Sequence, residues 1–264
     1  MTFPKGTGQL SLVALFGDKK DTFPELWQLI QELQSGIAKI LGNDIFQAYS
    51  EQRVHATIIG LEGWRSGHDV FASNVNQNFR QLKPIDLELV IDFLLGSNNM
   101  LPIKIKVGGY LHDHEYSFTS QDNHPYLRSF SIQGETAVAM GWPCKNNLYT
   151  SDLNKLRRAF NKFNITHKYH GVASAYDNDF FFVLGNVTKS VDVNIIAACE
   201  TLMRDILSRA DIPLITINSG QLKIIPYISG DSTFKMAKSL TLQQAKKRIV
   251  ELKRFYPEID FLQG

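Results

Sequence analysis

Cysteine is scarce in this chain: only Cys144 and Cys199 occur, in different segments, with no CxxC pair. That spacing excludes a zinc ribbon or a disulfide framework and fits a reducing compartment. An excess of charge of one sign is also missing. Lys plus Arg number 28 against 26 Asp plus Glu, for a formal net charge of +2. A dedicated nucleic-acid scaffold carries a much stronger field, whereas small or end-on anionic ligands stay open. No apolar run reaches membrane-spanning length. The opening MTFPKGTGQLS lacks a signal peptide's apolar core. No H-E-x-x-H spacing occurs, and the HDH at 112–114 has no cysteine near it to complete a metal set. The expectation is a soluble, cytoplasmic protein with no membrane contact, no metal and no cofactor.

What is present suffices for a substantial core. Apolar residues make up 44% and charged residues 20% of 264, ordinary for one large domain or two small ones. QLSLVALFG, at 9–17, reads as a buried strand. Thr22-Phe23-Pro24-Glu25 has capping-box character and opens a helix to about Leu41, with Leu26, Ile30, Leu33 and Ile37 recurring at three or four. RVHATIIGLEG follows as a strand, completing a β-α-β unit in the first sixty residues. A helix is predicted at 68–82, then strands in IDLELVIDFLL and PIKIKVGGYL. The segment 111–133 is polar and aromatic without sustained periodicity, a long excursion of the kind that borders binding sites.

The pattern then starts again. ETAVAMGWP reads as a strand stopped by Pro143, 151–164 as a capped amphipathic helix, and DFFFVLGNV as a strand. SVDVNIIAACETLMRDILSRA reads as a helix, and PLITINSGQLKIIPYIS as a terminal pair of strands. The spacing predicts a single bilobal α+β domain over 1–264. Lobe 1 covers about 9–134 and lobe 2 about 135–230, with antiparallel sheets facing a central cleft. A basic helix near 240–255 is appended within 231–264, its AKKRIVELKR face read as solvated.

RVHATIIG carries the chemistry. Alternate strand residues share a face, so Arg53, His55 and Thr57 point one way while Val54, Ala56 and Ile58 point into a packed layer. In this setting the chain resembles the 2H phosphoesterase superfamily, the group that holds the RNA ligase-like cyclic phosphodiesterases. The resemblance spans most of 9–230 and rests on His55-Ala56-Thr57-Ile58, on its place as second strand of a β-α-β unit, and on the later IKIKVGGYL and SGQLKIIPYIS strands. It implies two lobes, each giving one H-x-T/S motif to a shared cleft. One imidazole deprotonates the attacking oxygen and the other protonates the leaving one, without a metal. His55 and Thr57 are then the catalytic pair.

The second motif is missing. Matching Gly60 to Gly185 puts Phe180 and Phe182 in the places of His55 and Thr57; shifting by one puts Asp179 and Phe181 there. Neither register supplies an imidazole or a hydroxyl. His112, His114, His124, His167 and His170 all fall in loops, where one could replace it. Arg53, Lys223, Tyr227 and Arg128 are candidate contacts for an anion, and Phe180 and Phe182 for a base. The expected function is binding of a small phosphate-bearing ligand, nucleotide or RNA end, by a catalytically impaired relative. The alternatives are an active metal-independent cyclic phosphodiesterase, with His55 as acid or base, and a peptide-binding interaction domain.

Overall fold

The computed structural model describes residues 6–17, 19–73, 83–96, 99–170, 174–229 and 238–259. Thirteen strands are present among them: β1 (Gly8–Ala14), β2 (Phe46–Ala48), β3 (Ala56–Gly60), β4 (Gly63–Ser66), β5 (Asp69–Ala72), β6 (Ile103–Val107), β7 (Phe130–Gln133), β8 (Thr136–Lys145), β9 (Leu148–Tyr149), β10 (Phe180–Val187), β11 (Ile215–Ile217), β12 (Leu222–Ile228) and β13 (Leu240–Thr241). The helices are α1 (Lys19–Thr22), α2 (Pro24–Leu41), α3 (Leu87–Leu95), α4 (Pro125–Arg128), α5 (Asp152–Ala159), α6 (Val193–Arg209), α7 (Leu242–Lys247) and α8 (Ile249–Phe255). The class is α+β, built on one large curled sheet in the order β11-β6-β8-β10-β3-β1-β12-β13, with β2, β7 and β9 attached beside that path. Its paired strands run antiparallel, and β4 and β5 form a separate hairpin.

Alternation along each strand splits the sheet into two faces. Leu10, Leu12, Ala14, Ala56, Ile58, Phe180, Phe182, Leu222 and Ile224 face the main core, where α2 and α6 also bury their apolar stripes. β8 is buried on both sides: Ala137 and Ala139 join the main core, while Val138, Met140 and Trp142 form a second cluster with Tyr110. Tyr116 and Phe118, from the 111–133 excursion, pack onto that second cluster. The excursion therefore covers the β8–β10 half of the face opposite the main core.

The sheet is continuous but weakly paired at its centre. β10 meets β3 at one register pair, Phe182 opposite Ala56. Carbonyls left unpaired beside this seam would be costly in the interior. Arg157 of α5, fully buried, supplies the donors. Its Nε donates to Ile58 O at 2.8 Å, and Nη2 donates to Thr57 O and Asp179 O at 3.1 Å each. Nη1 lies 3.1 Å from the Asp177 carboxylate. One guanidinium thus ties β3 to the chain entering β10.

Several segments differ from the sequence reading for local reasons. Residues 87–95 form helix α3, because Leu87, Val90, Ile91 and Leu94 bury one helical stripe and the Asp86 side chain accepts from Leu89 N. Asp69–Ala72 is strand β5, paired with β4, so the helix expected at 68–82 does not begin there; 74–82 lie outside the described residues. β8 continues through Pro143, which sits opposite Ile105. The first cap is not Thr22: α1 ends on that residue, and α2 starts after Phe23 with Pro24 in its first turn and no side-chain cap bond. β11 and β12 are strands but not partners, since β11 pairs β6 and β12 pairs β1. The C-terminal segment is integrated rather than appended. β13 pairs β12, Leu242, Ala245, Leu252 and Tyr256 join the main core, and Tyr256 donates to Leu61 O at 2.7 Å. Among the described residues no helix is long and apolar enough to cross a membrane.

Candidate functional site

Thr57, Val13 and Lys223 lie opposite one another on β3, β1 and β12, so their side chains form a row on the face away from the main core. One pocket of about 150 Å³ opens on this face, lined by Ser11, Thr57, Gly60, Glu62, His167, Lys168, Phe181 and Tyr227. Strand alternation places Ser11, Thr57, Phe181 and Tyr227; His167 and Lys168 reach it from the loop after α5. Gly60 leaves room for the Glu62 carboxylate: a Cβ there would meet Oε2 at 1.9 Å, so that side chain would have to move. The Tyr227 hydroxyl donates to Glu62 Oε1 at 2.8 Å, and burial plus this carboxylate raises the phenol's pKa, keeping it protonated.

His167 is 3% exposed, with Nδ1 3.4 Å from Asp177 Oδ2, a contact too poorly aligned for a good hydrogen bond. Burial, then the Arg157 guanidinium, push the imidazole down to about 2, so it is neutral near physiological pH and the contact is not an ion pair. Asp177 moves oppositely: burial raises its carboxyl, while Arg157 pulls it down.

His55, the predicted acid or base, is 6% exposed and lines neither this pocket nor its neighbour. Its Nδ1 is 2.7 Å from Arg53 O, and its ring packs 5.8 Å from Phe16. Burial pushes it down to about 4. Arg53 sits in the turn before β3, its guanidinium 4.0 Å over the Tyr49 ring. Lys223 lines a separate cavity of about 190 Å³ with Phe16, Gly17 and Lys19. Of the residues predicted from the sequence, the structure brings Thr57 and Tyr227 together, with the loop His167 beside them, and leaves the others out of the pocket lining.

The β10 residues settle which register faces the pocket. Phe180 and Phe182 are fully buried in the main core, which removes them as base-stacking contacts. Phe181 lines the pocket, so Asp179 and Phe181 occupy the face that Thr57 occupies on β3. Asp179 is locked. Its Oδ1 accepts from Trp142 Nε1 at 2.7 Å, and both oxygens accept from Ser120 Oγ, at 2.7 and 2.8 Å. Arg128 Nη2 donates to Oδ2 at 3.0 Å. Arg128 is therefore committed to holding the excursion on β8 and β10, not to an anion in the pocket. Asp179→Asn keeps one acceptor but sets an amide NH₂ against Arg128 or Trp142. We expect a loss of about 1–2 kcal/mol in urea unfolding, with a changed Trp142 near-ultraviolet signal; an unchanged midpoint would show that the network does not hold the excursion.

No family model matches the chain, and no curated protein does. Among solved structures, it is similar to a conserved protein of unknown function, ATU0111, from Agrobacterium tumefaciens, at 10% identity and a TM-score of 0.45, over 90% of this chain and 86% of that one. A likeness of that size carries no inference about activity.

The other loop histidines stay outside the pocket. His112 contacts Asp113 at 2.6 Å, His124 Nε2 lies 2.8 Å from His114 O, and His170 Nε2 lies 3.0 Å from Asn154 Oδ1. Among the described residues no group of three or more His, Cys, Asp or Glu could hold a metal. A larger cavity, about 820 Å³, opens beside Lys104, Lys145 and Tyr149, and none of the predicted site residues lines it. Sequence reasoning missed Ser11, Glu62 and Lys168. Ser11 left a trace, as the polar break on the Gln9-Ser11-Val13 face of an otherwise apolar strand. The others reach the pocket through loop geometry that no periodicity encodes.

Proposed function

We propose that this protein is a divergent, two-lobed 2H phosphoesterase-like protein that binds a phosphate-bearing ligand, nucleotide or RNA end, without turning over a cyclic phosphate. The observation that carries it is the state of Asp179. It lies on the same face as Phe181, where a second H-x-T would stand, but buried under the excursion and consumed by Trp142, Ser120 and Arg128. Phenylalanine exchanges no proton, and His55 and His167 are both held neutral. A two-imidazole mechanism needs one protonated partner. The β3–β10 seam supports reading the sheet as two halves.

A second function, a metal-independent cyclic phosphodiesterase in the cytoplasm, is favoured by one observation: His167 reaches the pocket that Thr57 lines, with the Asp177 carboxylate 3.4 Å from its Nδ1. It lacks a protonated imidazole for the leaving oxygen.

Calorimetric titration with nucleoside monophosphates tests binding. The expected result is saturable binding below millimolar ligand, weakened about tenfold in Thr57→Val, the loss of one hydroxyl contact. Absence of binding at millimolar nucleotide and phosphate, with folded protein, would rule this function out.

A further inference from the structure

We infer that the Thr57 pocket receives the vicinal hydroxyls of a ribose, while the phosphate stays outside it near Lys168; this rests on the nucleotide binding proposed above.

Charge decides the question. The pocket's lining contains one carboxylate, Glu62, and one cation, Lys168. Glu62 has Oε1 occupied by the Tyr227 hydroxyl. Lys168 is exposed, with Nζ 4.6 Å over the Tyr169 ring. A phosphate placed inside would face a carboxylate with no buried cation to offset the repulsion, a costly arrangement away from water. Arg157 does not fill that role, because it lies behind Asp177 and is spent on the β3 and β10 carbonyls.

Hydrogen-bonding capacity points the same way. His167 is a neutral imidazole lining the pocket, so one ring nitrogen donates and the other accepts. Glu62 adds further acceptor capacity. Ser11 and Thr57 each carry a hydroxyl that makes no hydrogen bond with another described residue, and a hydroxyl can both donate and accept. Ser11 and His167 are 5% and 3% exposed, so these are enclosed polar groups, not surface decoration. A neutral guest with adjacent hydroxyls satisfies the set. It donates to Glu62, accepts from Ser11 and Thr57, and can meet His167 in either tautomer, because a hydroxyl both donates and accepts. The Phe181 ring offers an apolar wall suited to the C–H face of a sugar.

Size agrees. Whole small-molecule ligands occupy pockets of roughly 300–1,000 Å³, and this one is about 150 Å³. It admits a sugar ring but not a nucleoside, so base and phosphate lie outside.

The test is a calorimetric comparison of AMP, 2′,3′-dideoxy-AMP and inorganic phosphate, on wild-type protein and on Glu62→Gln. We expect removal of both hydroxyls to weaken AMP binding at least about tenfold. Glu62→Gln should weaken AMP but leave the dideoxy analogue unchanged; Ser11→Ala is the second variant if Glu62→Gln unfolds. Equal affinity for AMP and its dideoxy analogue would overturn the ribose assignment while leaving nucleotide binding intact. So would displacement of AMP by inorganic phosphate that depends on Thr57. Failure of every nucleotide to bind removes the proposed function, and this inference with it.

Discussion

Replacing Arg157 with leucine is expected to destabilise the protein by about 3–5 kcal/mol, measured by urea unfolding. The reasoning lies in what stays behind. Arg157 is fully buried and is the donor for carbonyls of Thr57, Ile58 and Asp179 beside a seam where β3 and β10 share one register pair. It is also the countercharge of buried Asp177. Burial lowers the guanidinium's pKa, but Asp177 and Asp179 oppose that shift. Leucine restores apolar volume but leaves a carboxylate unpaired and several carbonyls without donors. Removing both charges together, as Arg157→Leu with Asp177→Leu, should cost less than the single change, because an apolar pair can replace a buried ion pair at little net expense. A loss below about 1 kcal/mol for Arg157→Leu would mean that the seam is held by packing alone.

Acid should destabilise the fold before most carboxylates titrate. His55, His167 and His170 all have folded pKa values pushed below 6.5, to about 4, 2 and 4, first by burial and then by nearby Arg and Lys. For a depressed histidine, the unfolded chain binds the proton first. Stability is therefore fully present above the unfolded value and falls as pH drops from about 6.5 toward the folded value. His55 alone corresponds to about 3 kcal/mol across that window. Asp177 runs the other way, since its raised carboxyl binds a proton in the folded state before the unfolded one does, and so it returns some stability at the acid end. Urea midpoints followed from neutral pH to about pH 4 should decline steadily. His55→Gln should flatten the slope by about 1.4 kcal/mol per pH unit, one proton's worth. A midpoint independent of pH over this range would show that these imidazoles are not buried as described.

Much of the architecture is legible from local chemistry. The helix 24–41 and the strands of QLSLVALFG and DFFFVLGNV follow directly from three-four and alternating spacing. IDLELVIDFLL fits both periods, and only the Asp86 cap favours the helix it forms. Three consecutive phenylalanines carry no information about which of them faces the core, so the β10 register needed the structure. The same holds for Arg157. Its helix reads as amphipathic with two adjacent arginines, and nothing local says that one of them is buried to satisfy a seam between strands about a hundred residues away. His55-Ala56-Thr57 was visible because a strand carries its spacing. Asp177 was not, and His167 stood out only as one of five loop histidines, because a loop carries no such spacing.

The decisive measurement is incubation of the wild-type protein with 2′,3′-cyclic AMP, followed by quantification of the opened monophosphate. With Asp179 sealed under the excursion and no protonated imidazole at the Thr57 pocket, product should not rise above the buffer control, although AMP itself binds. Formation of product that disappears in His167→Ala or in His55→Ala would contradict the account, and loss in His167→Ala would make the Thr57 pocket a working active site.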